Sequence, residues 1–168
     1  TTVRIESENG AKAMGKPIGV YITLEAPKLS EPDKDYHREV SEALAVYLQE
    51  LLGTKEERSV LVVGLGNREV TPDALGPEVV GNLRITRHVV KEYGKAAFEK
   101  EKVHMVSGIV PGVMAQTGME TLEIVRGVVE ETQPDVVVAI DALAARSSKR
   151  LNRTIQISDA GIHPGSGV

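Results

Sequence analysis

The sequence predicts an α/β fold, a three-layer αβα arrangement around a twisted, mainly parallel sheet. Three observations carry that reading. Residues 60–65 (VLVVGL) are a continuous apolar run, the pattern of a strand buried on both faces in a parallel sheet. Residues 103–110 (VHMVSGIV), which run into Pro111 and Gly112, and residues 135–140 (DVVVAI) are two further runs of this kind. Helical patterns fill the gaps between them, and alternating strands and helices specify parallel strands joined by right-handed crossovers.

The elements follow in order. Residues 3–6 and 17–25 (PIGVYITLE) are rich in β-branched side chains and flank a turn-like ENGAKAMGK, so they read as a strand pair or as flanking strands. In residues 35–52 Val40, Leu44, Tyr47, Leu48 and Leu51 recur at three- and four-residue spacing, and Gly53 stands where a C-terminal cap belongs, which predicts a helix. Residues 74–93 read as one helix punctuated by Gly94. Residues 119–131 read as another, with Leu122, Val125, Val128 and Val129 on one side. Residues 154–158 are the last predicted strand. No repeat, low-complexity tract or linker interrupts the chain, so residues 1–168 are expected to form a single domain. That length suits one domain of roughly 100 to 200 residues, able to bury about two-thirds of its unfolded surface.

Composition narrows the classes of function. A net charge of −4 and a pI near 5.6 argue against direct nucleic-acid binding, which calls for a basic face. The chain has no cysteine, hence no disulfide framework or thiolate zinc site. It has no apolar run of membrane-spanning length, and its opening residues do not read as a signal peptide. Thr1 leads directly into a strand-like alternation and the chain stops in a glycine-rich GIHPGSGV. The expectation is a piece of a longer protein, truncated at both ends.

The stretch VLVVGLGNREVTPDALGP holds the first candidate site. A strand running into Gly64 and Gly66 and then a helix suggests a phosphate loop. The dinucleotide fingerprint, however, needs a third glycine where Glu69 stands, and a P-loop needs Gly-Lys-Ser/Thr. Asp73 at a helix start would repel an anion, and its plain role would be a helix cap. Asp141 alters the balance. It directly follows a strand, at the carboxyl end where open α/β sheets bind ligands, although a cap or a salt bridge to Arg146 would also account for it. Adjacent strands lie about 4.8 Å apart, so Asp73 and Asp141 are expected to converge in one crevice rimmed by residues 64–67. Paired carboxylates share a proton, which equips one to activate water and the other to protonate a leaving amine. His88 and His104 have no metal-binding spacing around them. His163 sits in a glycine-rich loop with no evident partner. A nucleotide-binding module and a protein-binding fragment that holds substrate without cutting it are the competing readings.

The motifs VVGLGN, VTPDALGP, ITRH, IVPGVM, AIDALAARS and TIQISDAGIHPGSGV, in this order, resemble the germination protease (spore protease) family of spore-forming bacteria. The likeness runs through the whole chain. It implies an endopeptidase, made as a self-processing zymogen, that begins degradation of small acid-soluble spore proteins during germination in the cytoplasm of the spore core. It also implies a homotetramer in the full-length family, a fold similar to the hydrogenase-maturation endopeptidases, and no membrane or nucleic-acid partner. Asp73 and Asp141 fall on that family's proposed catalytic pair, and Gly64, Gly66, Asn67 and His163 become candidates for holding the substrate. No cofactor is expected. A carboxylate pair without metal is favoured because two carboxylates fall short of the three protein ligands usual at a catalytic zinc, and a metal-assisted route stays open as the alternative. The family's chains are longer, and an inactive substrate-binding fragment is the further alternative for the chain as it stands.

Overall fold

The computed structural model describes residues 1–53, 57–98, 103–144 and 147–162. By contacts the chain divides into two compact units, Thr1–Thr54 with Ala144–Gly161, and Lys55–Leu143 with Ile162–Val168.

The first unit holds β1 (Thr2–Ile5), α1 (Glu8–Met14), β2 (Gly19–Glu25), α2 (Lys34–Leu52) and the last strand, β6 (Thr154–Ser158). β2 lies between β1 and β6, antiparallel to both. The strand pair at the start of the chain is thus present, but the segment between its strands is a helix and not the turn its glycines suggested. Ser7 caps α1 by accepting the Gly10 N–H at 3.2 Å, and Gly15 closes it in the left-handed conformation, φ 61°, which glycine adopts without a Cβ penalty. α2 agrees with its sequence pattern. Asp33 accepts the N–H groups of Asp35 and Tyr36, and Val40, Leu44, Tyr47, Leu48 and Leu51 are among its half-buried side chains.

The second unit carries the parallel sheet. Its strands are β3 (Ser59–Gly64), β4 (Met105–Ile109) and β5 (Val136–Ile140), in the order β4-β3-β5, with β3 parallel to both neighbours. Leu61, Val63 and Leu65 form the buried cluster, covered by Val125, Val128 and Val129 of α6 (Thr121–Thr132). On the opposite face Val80 of α3 (Leu75–Gly81) lies over Gly64 and Gly108. Helices therefore cover both faces of β3, as a three-layer α/β fold requires. β3 is buried along Leu61 to Gly64, whereas Val137 and Ala139 of β5 are exposed. The apolar run of β5 led to an expectation of burial on both faces. With β3 as its one neighbour among the described strands, it leaves the face of Val137 and Ala139 uncovered.

Residues 74–93 are not one helix. α3 stops at Gly81 and α4 (Arg87–Tyr93) follows after a break. The cause is Thr86, 3 % exposed, whose backbone N–H donates to the Val106 carbonyl at 3.0 Å. Its Oγ1 donates to the His104 carbonyl and accepts the Val106 N–H. Pairing with β4 claims the backbone groups that a continuous helix would use. On α6 the exposed Leu122, outside the covered face, departs from the predicted stripe. Among the described residues no helix is long and apolar enough to cross a membrane.

Candidate functional site

Asp73 and Asp141 stand at the same, carboxyl edge of the parallel sheet. Gly64 and Ile140 are register partners at the ends of β3 and β5, and the pairing continues one residue further where the Leu65 N–H donates to the Ile140 carbonyl at 2.8 Å. Asp141 is the next residue after that carbonyl. From Leu65 the chain passes through Gly66 and Asn67 and makes a tight turn at Thr71–Asp73 before α3.

The position of Gly66 is set by Asp73. It has φ 111°, and a Cβ there would strike the Asp73 carbonyl oxygen and come within 3.0 Å of its carboxyl carbon. Only glycine lets the two segments lie this close. The Asn67 N–H then donates to Asp73 Oδ2 at 2.7 Å. This amide is one that a phosphate-binding loop would offer to its ligand, and a carboxylate already occupies it. Asp73 is also not the cap of α3: the residue at that position is Ala74, and it makes no side-chain capping bond.

Asp141 Oδ1 accepts its own neighbour's amide, Ala142 N–H, at 2.8 Å. Burial raises the Asp141 pKa above its ordinary value. The Ala142 hydrogen bond opposes that shift, and the Asp73 carboxylate adds to it by repulsion. The last contribution is a physical sign that the two acids share one neighbourhood, since like charges held close favour protonation of one of them. Arg146, the alternative partner for Asp141, lies outside the described residues, as does His163.

Of the remaining candidates, Gly64 is buried and its Cβ position is taken by the Gly76 carbonyl and Val80, so close packing accounts for it. The Asn67 side chain turns to the loop after β4. Its Oδ1 accepts the Glu69 N–H at 3.0 Å and Gln116 Nε2 at 3.1 Å. His88 is exposed on α4. His104 precedes β4, and its Nδ1 accepts the Arg58 N–H at 3.1 Å, a structural use. Among the described residues no group of three or more acidic or histidine side chains is set to hold a metal ion.

Two residues of this edge escaped the sequence reading. A Cβ on Gly76 would run into the carbonyls of Leu65 and Ile140, so this glycine lets α3 begin directly against the ends of β3 and β5. The Gly-Pro pair of TPDALGP was its one signal. Gln116 lies on α5 (Met114–Thr117). Its signal was the three-residue spacing from Val113, the spacing at which a glutamine reaches back to the start of its own helix.

The fold and edge define the class: an α/β protein with two acidic side chains at the end of the sheet where ligands bind. Comparison with known proteins gives the family. A model of the germination protease family matches residues 1–168, and the chain belongs to that family. It is 55% identical over 168 residues to the germination protease of Caldanaerobacter subterraneus subsp. tengcongensis, covering 100% of this chain and 51% of that protein. It is 52% identical over 168 residues to that of Clostridium perfringens strain ATCC 13124, with the same coverage. The germination protease of Priestia megaterium is 50% identical over 165 residues, covering 96% of this chain and 44% of the relative. The chain thus spans about half the length of the curated relatives it matches.

Proposed function

We propose that these residues form the catalytic part of an endopeptidase in which Asp73 and Asp141 work as an acid and base pair. The observation that carries the reading is the meeting of the two carboxylates at one sheet edge, Asp73 held by the Asn67 amide and Asp141 by the Ala142 amide. Asp141, favoured in its protonated form by burial and by its neighbour's charge, is the acid. Asp73 is the base.

In the step proposed, Asp73 takes a proton from a water molecule as the water oxygen bonds to the carbonyl carbon of the scissile peptide. Asp141 gives its proton to the amide nitrogen as the carbon–nitrogen bond breaks, which releases a carboxylic acid and an amine. The proton on Asp73 returns the pair to its starting state by way of solvent. Proton transfer of this kind contributes about 100- to 10,000-fold to rate.

Family membership supports the wider reading: small acid-soluble spore proteins as substrate, self-processing from a zymogen, a homotetramer, and action in the cytoplasm of the spore core. A single peptidase domain over residues 1–168 and a substrate-holding part for Gly66, Asn67 and His163 belong to the same proposal. The test is Asp73→Asn and Asp141→Asn in a full-length protein carrying these residues. Asparagine keeps the shape and cannot exchange the proton, so each variant is expected to lose both self-processing and spore-protein digestion while unfolding cooperatively as before. Near-normal cleavage by either variant removes that residue from the pair. Loss of wild-type activity in chelator, restored by added metal, would replace the mechanism with a metal-assisted one.

A further inference from the structure

The connections that leave the sheet part company at its carboxyl edge. β3 leads to α3 over the face lined by Gly64 and Gly108, and β4 leads to α6 over the face lined by Leu61 and Val63. Where the connections of neighbouring strands diverge in this way, an open α/β sheet leaves a gap between two loops. Here one side-chain hydrogen bond spans it, from Gln116 Nε2 to Asn67 Oδ1 at 3.1 Å.

The residues on both sides of that bond are constrained. Asn67 Oδ1 receives a second donor, the Glu69 N–H, and Gln116 Oε1 receives the Val113 N–H at 3.4 Å. Two donors on one oxygen and a donor on the other fix which way each amide faces. Gln116 sits on a single helical turn bounded by Gly112, φ 78°, and Gly118, φ 70°. A Cβ on Gly112 would lie 3.1 Å from Gln116 Oε1, so the glycine leaves room for the side chain to reach back. Thr117 Oγ1 ties the same turn to the Val113 and Met119 carbonyls.

Resting on the acid and base reading of Asp73 and Asp141, we infer that Gln116 is a positioning residue for Asp73. Its donor hydrogen bond holds Asn67, and the Asn67 backbone N–H holds the Asp73 carboxylate. The chain of contacts runs from the loop after β4 to the reacting acid, so the loop that follows one strand sets the aim of a carboxylate that follows another.

Two substitutions separate this role from simple capping of α5. Gln116→Glu keeps the length and the acceptor for the Val113 N–H but has no donor for Asn67 when ionised. Gln116→Met keeps the length and loses both. The experiment measures kcat, KM and thermal unfolding for both, with Asp73→Asn alongside, in a full-length protein carrying these residues and digesting a small acid-soluble spore protein. Misplacing a reacting group by about 1 Å costs about 100-fold. Both Gln116 variants are therefore expected to lose about 10- to 100-fold in kcat with KM little changed, and Gln116→Glu to unfold at the wild-type temperature. Wild-type kcat in Gln116→Glu overturns the inference. So does a loss confined to Gln116→Glu, which would trace to the added charge, or a loss that only follows a fall in unfolding temperature. If Asp73→Asn is inactive while both Gln116 variants cleave normally, this inference alone fails. If Asp73→Asn cleaves normally, the catalytic pair falls and this inference falls with it.

Discussion

The backbone N–H of Asn67 donates to Oδ2 of Asp73 at 2.7 Å, and the space for that contact exists because the residue between them in the fold, Gly66, has no side chain. Gly66 of GLGN serves a carboxylate of the same chain, where a nucleotide loop would serve a phosphate. Variants at this contact test the site without touching either acid.

Gly66→Ala is expected to cost stability and activity together. At φ 111° an L-residue is strained, and its Cβ would press on the Asp73 backbone and carboxyl group. The strain alone is worth about 1 to 3 kcal/mol, or a fall of roughly 2–4 °C in Tm for each kcal/mol in a chain of this size. Gly94→Ala is the control. Gly94 has φ 70° and nothing within 4 Å of its Cβ position, so that variant should lower Tm with cleavage by the folded protein unchanged. Equal activity in the two variants would show that the approach of Gly66 to Asp73 does not matter to the reaction.

Asp141→Asn should raise stability near neutral pH. The folded-state pKa of Asp141 lies above its ordinary value of 3.8, chiefly through burial. An acid whose pKa is raised by folding contributes stability that is fully present below the unfolded pKa and is lost as pH rises through the folded one. Near neutral pH, where the unfolded chain's carboxyl is ionised, folding therefore carries the cost of burying that charge or of taking up a proton to avoid it, and asparagine removes the cost while still accepting the Ala142 N–H. Thermal unfolding of both proteins across pH should show the variant ahead near neutrality, its lead shrinking as the pH falls toward 3.8 and lost below it. A lead that grows as the pH falls would contradict the assigned direction.

Thr86→Val is expected to destabilise by about 1–3 kcal/mol, because valine fills the space but leaves the His104 carbonyl and the Val106 N–H without the hydroxyl that serves them. Thr86→Ser keeps the hydroxyl and should lose less. Chemical denaturation of the two variants decides it, and an equal loss would assign the effect to packing of the methyl group.

Much of this molecule was legible in its sequence where a single local signal was enough. The spacing of Val40, Leu44, Tyr47, Leu48 and Leu51 marks the half-buried face of α2 correctly. The apolar run of β3 names the buried centre of the parallel sheet, and the positions of Asp73 and Asp141 after their strands put both at one edge. What was hidden depends on contacts distant in sequence. The break before α4 is made by hydrogen bonds from Thr86 to β4, which no helical periodicity reports. α1 lacks an apolar stripe and is defined by its caps, Ser7 and Gly15. Gln116 has no chemistry of its own to attract notice and becomes meaningful only beside Asn67.

β5 has one neighbour among the described strands, β3, and Asp141 hangs from its end. Among these residues the ladder between β3 and β5 is what sets Asp141 at the same edge as Asp73. Proteins open in parts at less than the cost of unfolding whole, and fraying ends open most readily. Under the proposed function, fraying the last rung, where the Leu65 N–H meets the Ile140 carbonyl, would part the acids while the Leu61, Val63 and Leu65 cluster stays packed under α6. Amide exchange at Leu65 gauges how firmly that rung holds.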